Sequence, residues 1–143
     1  DNVLIIDVGL RQGLKPGLPV TVSQGVIIGK ISQVEANRSF VQLLTDTSSR
    51  LAVSFGKASG GTNGLLLGQA GNSLVIDLIP QSEPVQEKQT VITSGLEELV
   101  PRGLLIGQIT QVDQKVGQIF KQARVNPPFS YHNLRALTVI LKD

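Results

Sequence analysis

Ile28-Gly-Lys-Ile-Ser-Gln-Val-Glu35 and Ile106-Gly-Gln-Ile-Thr-Gln-Val-Asp113 are almost the same octet, 78 residues apart. Five of the eight positions are identical and two more exchange like for like. Apolar residues fall at Ile28, Ile31 and Val34, and again at Ile106, Ile109 and Val112, a spacing of three that would suit a helix. Composition argues against one: a glycine lies inside each copy, and β-branched residues, which crowd a helical turn, dominate. A strand with a β-bulge beside Gly29 or Gly107 accounts for the slipped apolar face. Strands bent in this way are what closing a small barrel requires.

The surroundings of the octets repeat too. Val20-Thr-Val-Ser-Gln-Gly25 precedes the first copy and Val91-Ile-Thr-Ser-Gly95 the second. After each comes a strand (40–44; 118–125), a turn, and a strand of strict alternation (51–55; 135–141), so a four-strand unit occurs twice. A repeat near 80 residues is too long for a solenoid or propeller blade and fits two small related barrels. Further strands are expected at 3–6, 19–23, 26–34, 65–69, 74–78, 90–93 and 104–113. Gly71-Asn72 marks a tight hairpin. The run 57–63 reads as the most flexible loop, and the polar run 81–89, containing Pro84, as an interdomain linker. The expected fold is all-β: two small closed β-barrels of related topology packed together, with little or no helix. The expected division is a first barrel at 18–80, inserted into a second made of 1–17 plus 81–143, with strand 3–6 completing the second.

Composition narrows the function. The 143 residues are 41% hydrophobic but only 3% aromatic, so the core must be Ile, Leu and Val. A net charge of +2 with 17% charged residues is too balanced for a nucleic-acid binder. Cysteine is absent, which removes disulfides and thiolate metal sites. No apolar run approaches the ~18 residues of a membrane span, and no signal peptide is recognisable. Methionine is absent too, which points to a fragment of a longer chain.

A two-barrel β protein raises the question of serine hydrolysis. Ser94 in Thr93-Ser94-Gly95 would be the nucleophile, His132, the only histidine, the base, and Asp46 the orienting carboxylate. A turn serine and a surface histidine explain the same residues more simply. Glu97-Glu98 are adjacent on a loop and do not converge on a metal. The glycine-rich spans Gly9–Gly17 and Gly60-Gly61 lack the Lys-Ser/Thr ending of a phosphate loop. Neither a cofactor nor a metal is expected. A peptidoglycan-binding module would need exposed aromatics, for which Tyr131 with Phe129 is the nearest pair. What remains is a surface for protein partners, joined by added strands or stacked copies.

Several segments, in order, carry a resemblance: Gly9-Leu-Arg-Gln-Gly13-Leu-Lys-Pro-Gly17-Leu-Pro-Val20, Gly25-Val-Ile-Ile-Gly29-Lys-Ile31, Val41-Gln-Leu-Leu-Thr-Asp46, Thr93-Ser94-Gly95-Leu96, Pro101-Arg-Gly103-Leu-Leu-Ile-Gly107, Pro127-Pro128 and Leu137-Thr-Val-Ile140. Over about residues 3–141 the chain resembles the extracytoplasmic region of the MreC family of rod shape-determining proteins. One departure is visible: members often carry Gly-Asp where this chain reads Lys88-Gln89. The resemblance implies two β-barrels outside the bacterial cytoplasmic membrane (the periplasm in Gram-negative cells), tethered by a membrane helix and coiled coil. It implies non-enzymatic scaffolding of side-wall peptidoglycan synthesis. The partners implied are MreD, MreB across the membrane, RodA, the elongation-specific penicillin-binding protein, and further copies of MreC in dimers or larger assemblies. The motif glycines Gly9, Gly13, Gly17, Gly29, Gly95 and Gly107 are expected to be structural, permitting positive φ, close approach or bulges. Val20, Ile31, Val34, Leu43, Ile106 and Ile109 are expected to fill the cores.

Overall fold

The computed structural model describes residues 2–23, 25–56, 61–128, 131, 134 and 136–141. Among them run eleven strands: β1 (Val3–Ile6), β2 (Pro19–Val22), β3 (Val26–Val34), β4 (Ser39–Leu43), β5 (Arg50–Phe55), β6 (Thr62–Gln69), β7 (Ser73–Pro80), β8 (Thr90–Thr93), β9 (Leu105–Asp113), β10 (Phe120–Asn126) and β11 (Thr138–Val139). One short 3-10 turn, Leu10–Gln12, interrupts them. The all-β expectation holds, and β1, β3 and β8 match their expected bounds. Residues 57–60 of the loop expected to be flexible lie outside the described residues.

The two octets form β3 and β9, and both are bulged. Against β2, Val20 faces Gly29 and Thr21 faces Ile27, which leaves Ile28 as the extra residue. Against β8, Val91 faces Gly107 and Ile92 faces Leu105, which leaves Ile106. A second bulge follows in each. Ile31 and Gln33 face Val41 and Phe40, leaving Ser32; Ile109 and Gln111 face Val125 and Arg124, leaving Thr110. The extra hydroxyls donate equivalently, Ser32 Oγ to the Phe40 carbonyl at 3.2 Å and Thr110 Oγ1 to the Arg124 carbonyl at 3.5 Å. The spacing of three in the sequence is therefore a strand's alternation shifted by bulges. Gly29 and Gly107 are needed for space. A Cβ on Gly29 would stand 3.1 Å from the Gln42 carbonyl carbon, and one on Gly107 2.8 Å from that of Asn126, each closer still to the oxygen.

Strands β5, β6, β7, β10, β9 and β8 close on themselves as a ring of six antiparallel strands. Phe55, Leu66, Ile76, Ile79, Val91, Ile106 and Ile109 fill its interior. The other half runs β1–β4–β3–β2–β11, with no ladder between β1 and β11 among the described residues. Leu14, Leu18, Val20, Ile28, Ile31, Val41 and Leu43 form its core, with Val34 partly buried against it. One barrel is thus closed by hydrogen bonds, and the other is a five-strand barrel with one open side.

Strand pairing corrects the expected division at 18–80 and at 1–17 plus 81–143. β1 pairs with β4 and so joins the first half rather than the second. β11 also joins the first half, on β2, while β5 crosses into the closed ring, on β8. Each sequence repeat gives its fourth strand to the other's first strand. The physical reason lies at the junction, where β3 and β9 meet in parallel at Val26 and Leu105, and the Leu105 N–H donates to the Gly25 carbonyl at 2.9 Å. The exchange extends to side chains: Ile27 is buried in the closed ring's core and Leu105 packs on the other. Alternation fixes which face of a strand is apolar, not which ring receives it. The run 81–89 joins β7 to β8 of the same ring and is no interdomain linker. It lies against β9, with the Lys88 N–H donating to the Ile109 carbonyl at 2.7 Å.

Candidate functional site

Of the residues weighed for hydrolysis, Ser94 and Asp46 are each held in their own turn. Ser94 directly follows β8 and is 8% exposed. Its N–H donates to the Ala52 carbonyl at 3.1 Å, its Oγ accepts the Leu96 N–H at 3.2 Å, and its carbonyl accepts Arg102 Nη1 at 3.2 Å. Asp46 Oδ2 accepts Gln42 Nε2 at 2.9 Å and the Ser48 N–H at 3.1 Å, which is a carboxylate closing a turn. His132 lies outside the described residues. No hydrogen bond among the described residues joins Ser94 to Asp46.

The loop after β8 instead holds the halves together. Thr93 is fully buried; its Oγ1 donates to the Pro101 carbonyl at 2.6 Å and accepts the Leu104 N–H at 2.9 Å, pinning both ends of the loop 94–104. From that loop Glu97 reaches back between the barrels. Its Oε1 accepts Lys30 Nζ of β3 at 2.8 Å and its Oε2 accepts the Ala52 N–H of β5 at 2.8 Å. Lys30 Nζ also donates to the Arg50 carbonyl at 2.8 Å. One ion pair, 18% and 34% exposed at its two ends, therefore ties β3 of the open barrel to β5 of the closed one. In the sequence Glu97 is one of two adjacent loop carboxylates, and nothing in its neighbours Leu96 and Glu98 signals this role. Among the described residues no group of three or more His, Cys, Asp or Glu could hold a metal ion.

Tyr131 is not offered to a ligand. Its ring packs against both cores, its hydroxyl is out of contact with solvent, and burial raises its phenol above the ordinary value. Phe129, the other half of the expected aromatic pair, lies outside the described residues. The glycines of the motifs divide by role. Gly13, Gly17 and Gly95 have φ of +87°, +96° and +83°. Gly9, like Gly29 and Gly107, faces backbone that leaves no room for a Cβ, here Glu35 and Arg38.

Among the described residues, two surfaces carry exposed large apolar side chains. At one end of the closed ring, Leu78, Ile119 and Phe120 line a shallow groove together with Asp77, Asp113, Lys115 and Lys121, and Val116 between β9 and β10 is fully exposed. Leu78 sits in a bulge of β7 at φ +61°, a conformation that costs a branched residue about 1 kcal/mol or more. On the open barrel, Ile5 and Leu141 are exposed on the groove between β1 and β11, and Val3 and Leu10 are exposed as well. Among the described residues no helix is long and apolar enough to cross a membrane.

The family profile described as "Rod shape-determining protein MreC, barrel core" matches residues 1–141. The chain is 31% identical over 142 residues to the cell shape-determining protein MreC of Listeria monocytogenes, covering 96% of this chain and 48% of that protein. It is 34% identical over 108 residues to MreC of Cereibacter sphaeroides, covering 76% and 35%. Against these relatives the chain thus spans about half or less of their length. Among solved structures, the MreC of Listeria monocytogenes superposes with a TM-score of 0.87 at 27% identity, covering 96% of this chain and 67% of that one. A structure described as the complex between penicillin-binding protein PBP2 and MreC from Helicobacter pylori shares the fold, with a TM-score of 0.72 at 22% identity, covering 87% and 76%.

Proposed function

The chain belongs to the MreC family, and on that premise we propose that it is a non-enzymatic scaffold of the bacterial elongation machinery. It works on the extracytoplasmic face of the cytoplasmic membrane, tethered there in the full-length protein. It organises peptidoglycan synthases through protein contacts and so maintains rod shape. Its partners are the elongation-specific penicillin-binding protein, RodA, MreD, MreB across the membrane, and further copies of itself. A related MreC described in complex with PBP2 supports the first of these.

The observation that carries this reading is the apolar end of the closed ring. Leu78, Ile119 and Phe120 stand exposed along one groove whose lining also carries Asp77, Asp113, Lys115 and Lys121, and Val116 is exposed in the same hairpin; apolar side chains gathered among charged ones are what a protein contact surface presents. A protein partner covering that end removes them from water. Sedimentation of the 143-residue chain, alone and with the soluble transpeptidase domain of the elongation-specific penicillin-binding protein, tests it. The expected result is a heavier complex with the wild-type chain that is lost in Ile119→Asp. Sedimentation as a lone monomer in both mixtures refutes it.

A further inference from the structure

The two barrels follow one plan, and the plan has an empty place. β2, β3 and β4 correspond to β8, β9 and β10 in pairing and in bulges. β1 stands beside β4 as β7 stands beside β10, and β11 beside β2 as β5 beside β8. In the closed ring the interval between β7 and β5 is filled by β6, antiparallel to both. The corresponding interval between β1 and β11 holds no strand among the described residues. It is a groove of about 600 Å³ lined by Ile5, Ile6, Val8, Leu14, Leu137 and Val139.

The backbone on both banks turns toward this groove. The Leu43 N–H donates to the Asn2 carbonyl at 2.8 Å, so in the antiparallel alternation Asn2, Leu4 and Ile6 face β4, while the amides and carbonyls of Val3 and Ile5 face away from it. The Ile140 N–H donates to the Pro19 carbonyl at 3.1 Å, which turns those of Val139 away from β2 in the same manner. Both banks are short, four and two residues, and they offer ladder positions on facing edges.

We propose that this groove is a strand-accepting site, taking an extended segment of about eight residues from a partner protein, antiparallel to β1 and β11. The chemistry of that segment is read from β6, eight residues long, which fills the equivalent place. The inward positions of β6 are Thr62, Gly64, Leu66 and Gly68, one large apolar residue among small ones. A Cβ on Gly64 would collide with the Ile76 side chain, and one on Gly68 with the carbonyls of Leu44 and Asp46. A ring of this width admits one large inward side chain from that strand. A second copy of the chain docked by its own edge would pair one bank only and leave Val139 unused, whereas a lone strand pairs both. The proposal stands on strand geometry and does not depend on the scaffold reading above.

The test uses a capped peptide with the β6 sequence, Thr-Asn-Gly-Leu-Leu-Leu-Gly-Gln, titrated into the 143-residue chain, with binding and residue-resolved amide exchange as readouts. The expected result is saturable binding that slows exchange of the Val3, Ile5 and Val139 amides by at least about tenfold. Ile5→Pro removes a groove-side donor that the β1–β4 ladder does not use. It should weaken binding at least about tenfold while the Leu4 and Ile6 amides stay protected. A peptide with Asp in place of its second Leu, the counterpart of Leu66, should not bind, which keeps the test decisive if the Pro variant misfolds. Three results overturn the proposal: no saturable binding at millimolar peptide, binding that leaves those three amides unchanged, or their protection by raising the concentration of the chain alone. The last would assign the groove to a second copy.

Discussion

Replacing Gly29 or Gly107 with alanine separates the close-packed reading of these glycines from a purely conformational one, because the two predict opposite signs. Neither residue has the positive φ that only glycine adopts easily. On conformational grounds alone alanine would therefore stabilise, by about 0.4–1 kcal/mol, through a less disordered unfolded chain. Packing opposes it. A Cβ at position 29 would stand 3.0 Å from Val41 Cγ1 and 3.1 Å from the Gln42 carbonyl carbon, and at position 107 it would stand 2.8 Å from the Asn126 carbonyl carbon and 3.0 Å from Pro127 Cα. Ordinary contact begins near 3.4 Å and the carbonyl oxygens of Gln42 and Asn126 stand closer than these atoms, so strand β4 or β10 must retreat by about an ångström, and the main obstacle is backbone rather than a side-chain tip. Overpacking of that kind costs about 1–3 kcal/mol, and a weakened ladder hydrogen bond about 1 more. Net destabilisation of about 1–3 kcal/mol is expected for each variant, a fall of roughly 3–10 °C in melting temperature for a chain of this size. Aspartate at either position should cost more, because it adds a buried charge. Urea unfolding followed by circular dichroism, with the slope unchanged from the parent, is the measurement. If either alanine variant is as stable as the parent, the packing argument fails.

Glu97→Gln should lower stability by about 1–2 kcal/mol, since it discharges the half-buried bridge from Lys30 to the Ala52 amide. A double-mutant cycle with Lys30→Met should return a coupling of at least about 0.5 kcal/mol, and additive effects would show the pair to be idle. Tyr131 is the sole tyrosine, so the tyrosinate absorbance reports it alone. Its buried hydroxyl keeps the proton to higher pH in the folded chain than in the unfolded one. The stability so conferred is whole below pH about 10 and is lost as pH rises beyond it. The stability of Tyr131→Phe should fall less steeply above that pH, and a folded-state titration near pH 10 would contradict the burial. Lys88 is exposed and held at φ +73°, a conformation that glycine adopts without strain. Lys88→Gly should therefore raise stability by about 0.5–1 kcal/mol in the same urea assay, and a loss would mean that the turn does not strain lysine.

The strands were legible because Gly and Pro cut the chain into short alternating runs. β3 and β9 were legible as bulged strands, against their helix-like spacing, because glycine sits beside the slip. The ion pair of Lys30 with Glu97 was not legible. A charged residue in a polar loop carries no local mark of where its side chain will reach, and its partners lie 67 and 45 positions away. The apolar end of the closed ring was half legible. Leu78, Ile119 and Phe120 are visible in the sequence as apolar residues, but their standing together depends on a bulge and a hairpin from different parts of the chain.

Ring membership was the part the sequence could not carry, and the reason bears on how the fold holds. Within a repeat, β5 follows β4 and β11 follows β10, so proximity along the chain favours closing each repeat on itself. The fold instead gives β5 to β8 and β11 to β2. The turn Asp46–Ser49 and the contact of Val26 with Leu105 bring the crossing strands to the other ring's edge. After the exchange, Leu51, Val53 and Phe55 lie in the closed ring's core, as does Leu44 at the crossing itself. Removing either repeat would leave the other without its fourth strand and without the residue, Ile27 or Leu105, that crosses into its core. A half of about 65 residues buries too little surface to tolerate that loss. The doubled unit is therefore stable as a pair. The side at which the exchange leaves the ring incomplete, between β1 and β11, is also where Ile5 and Leu141 stand exposed.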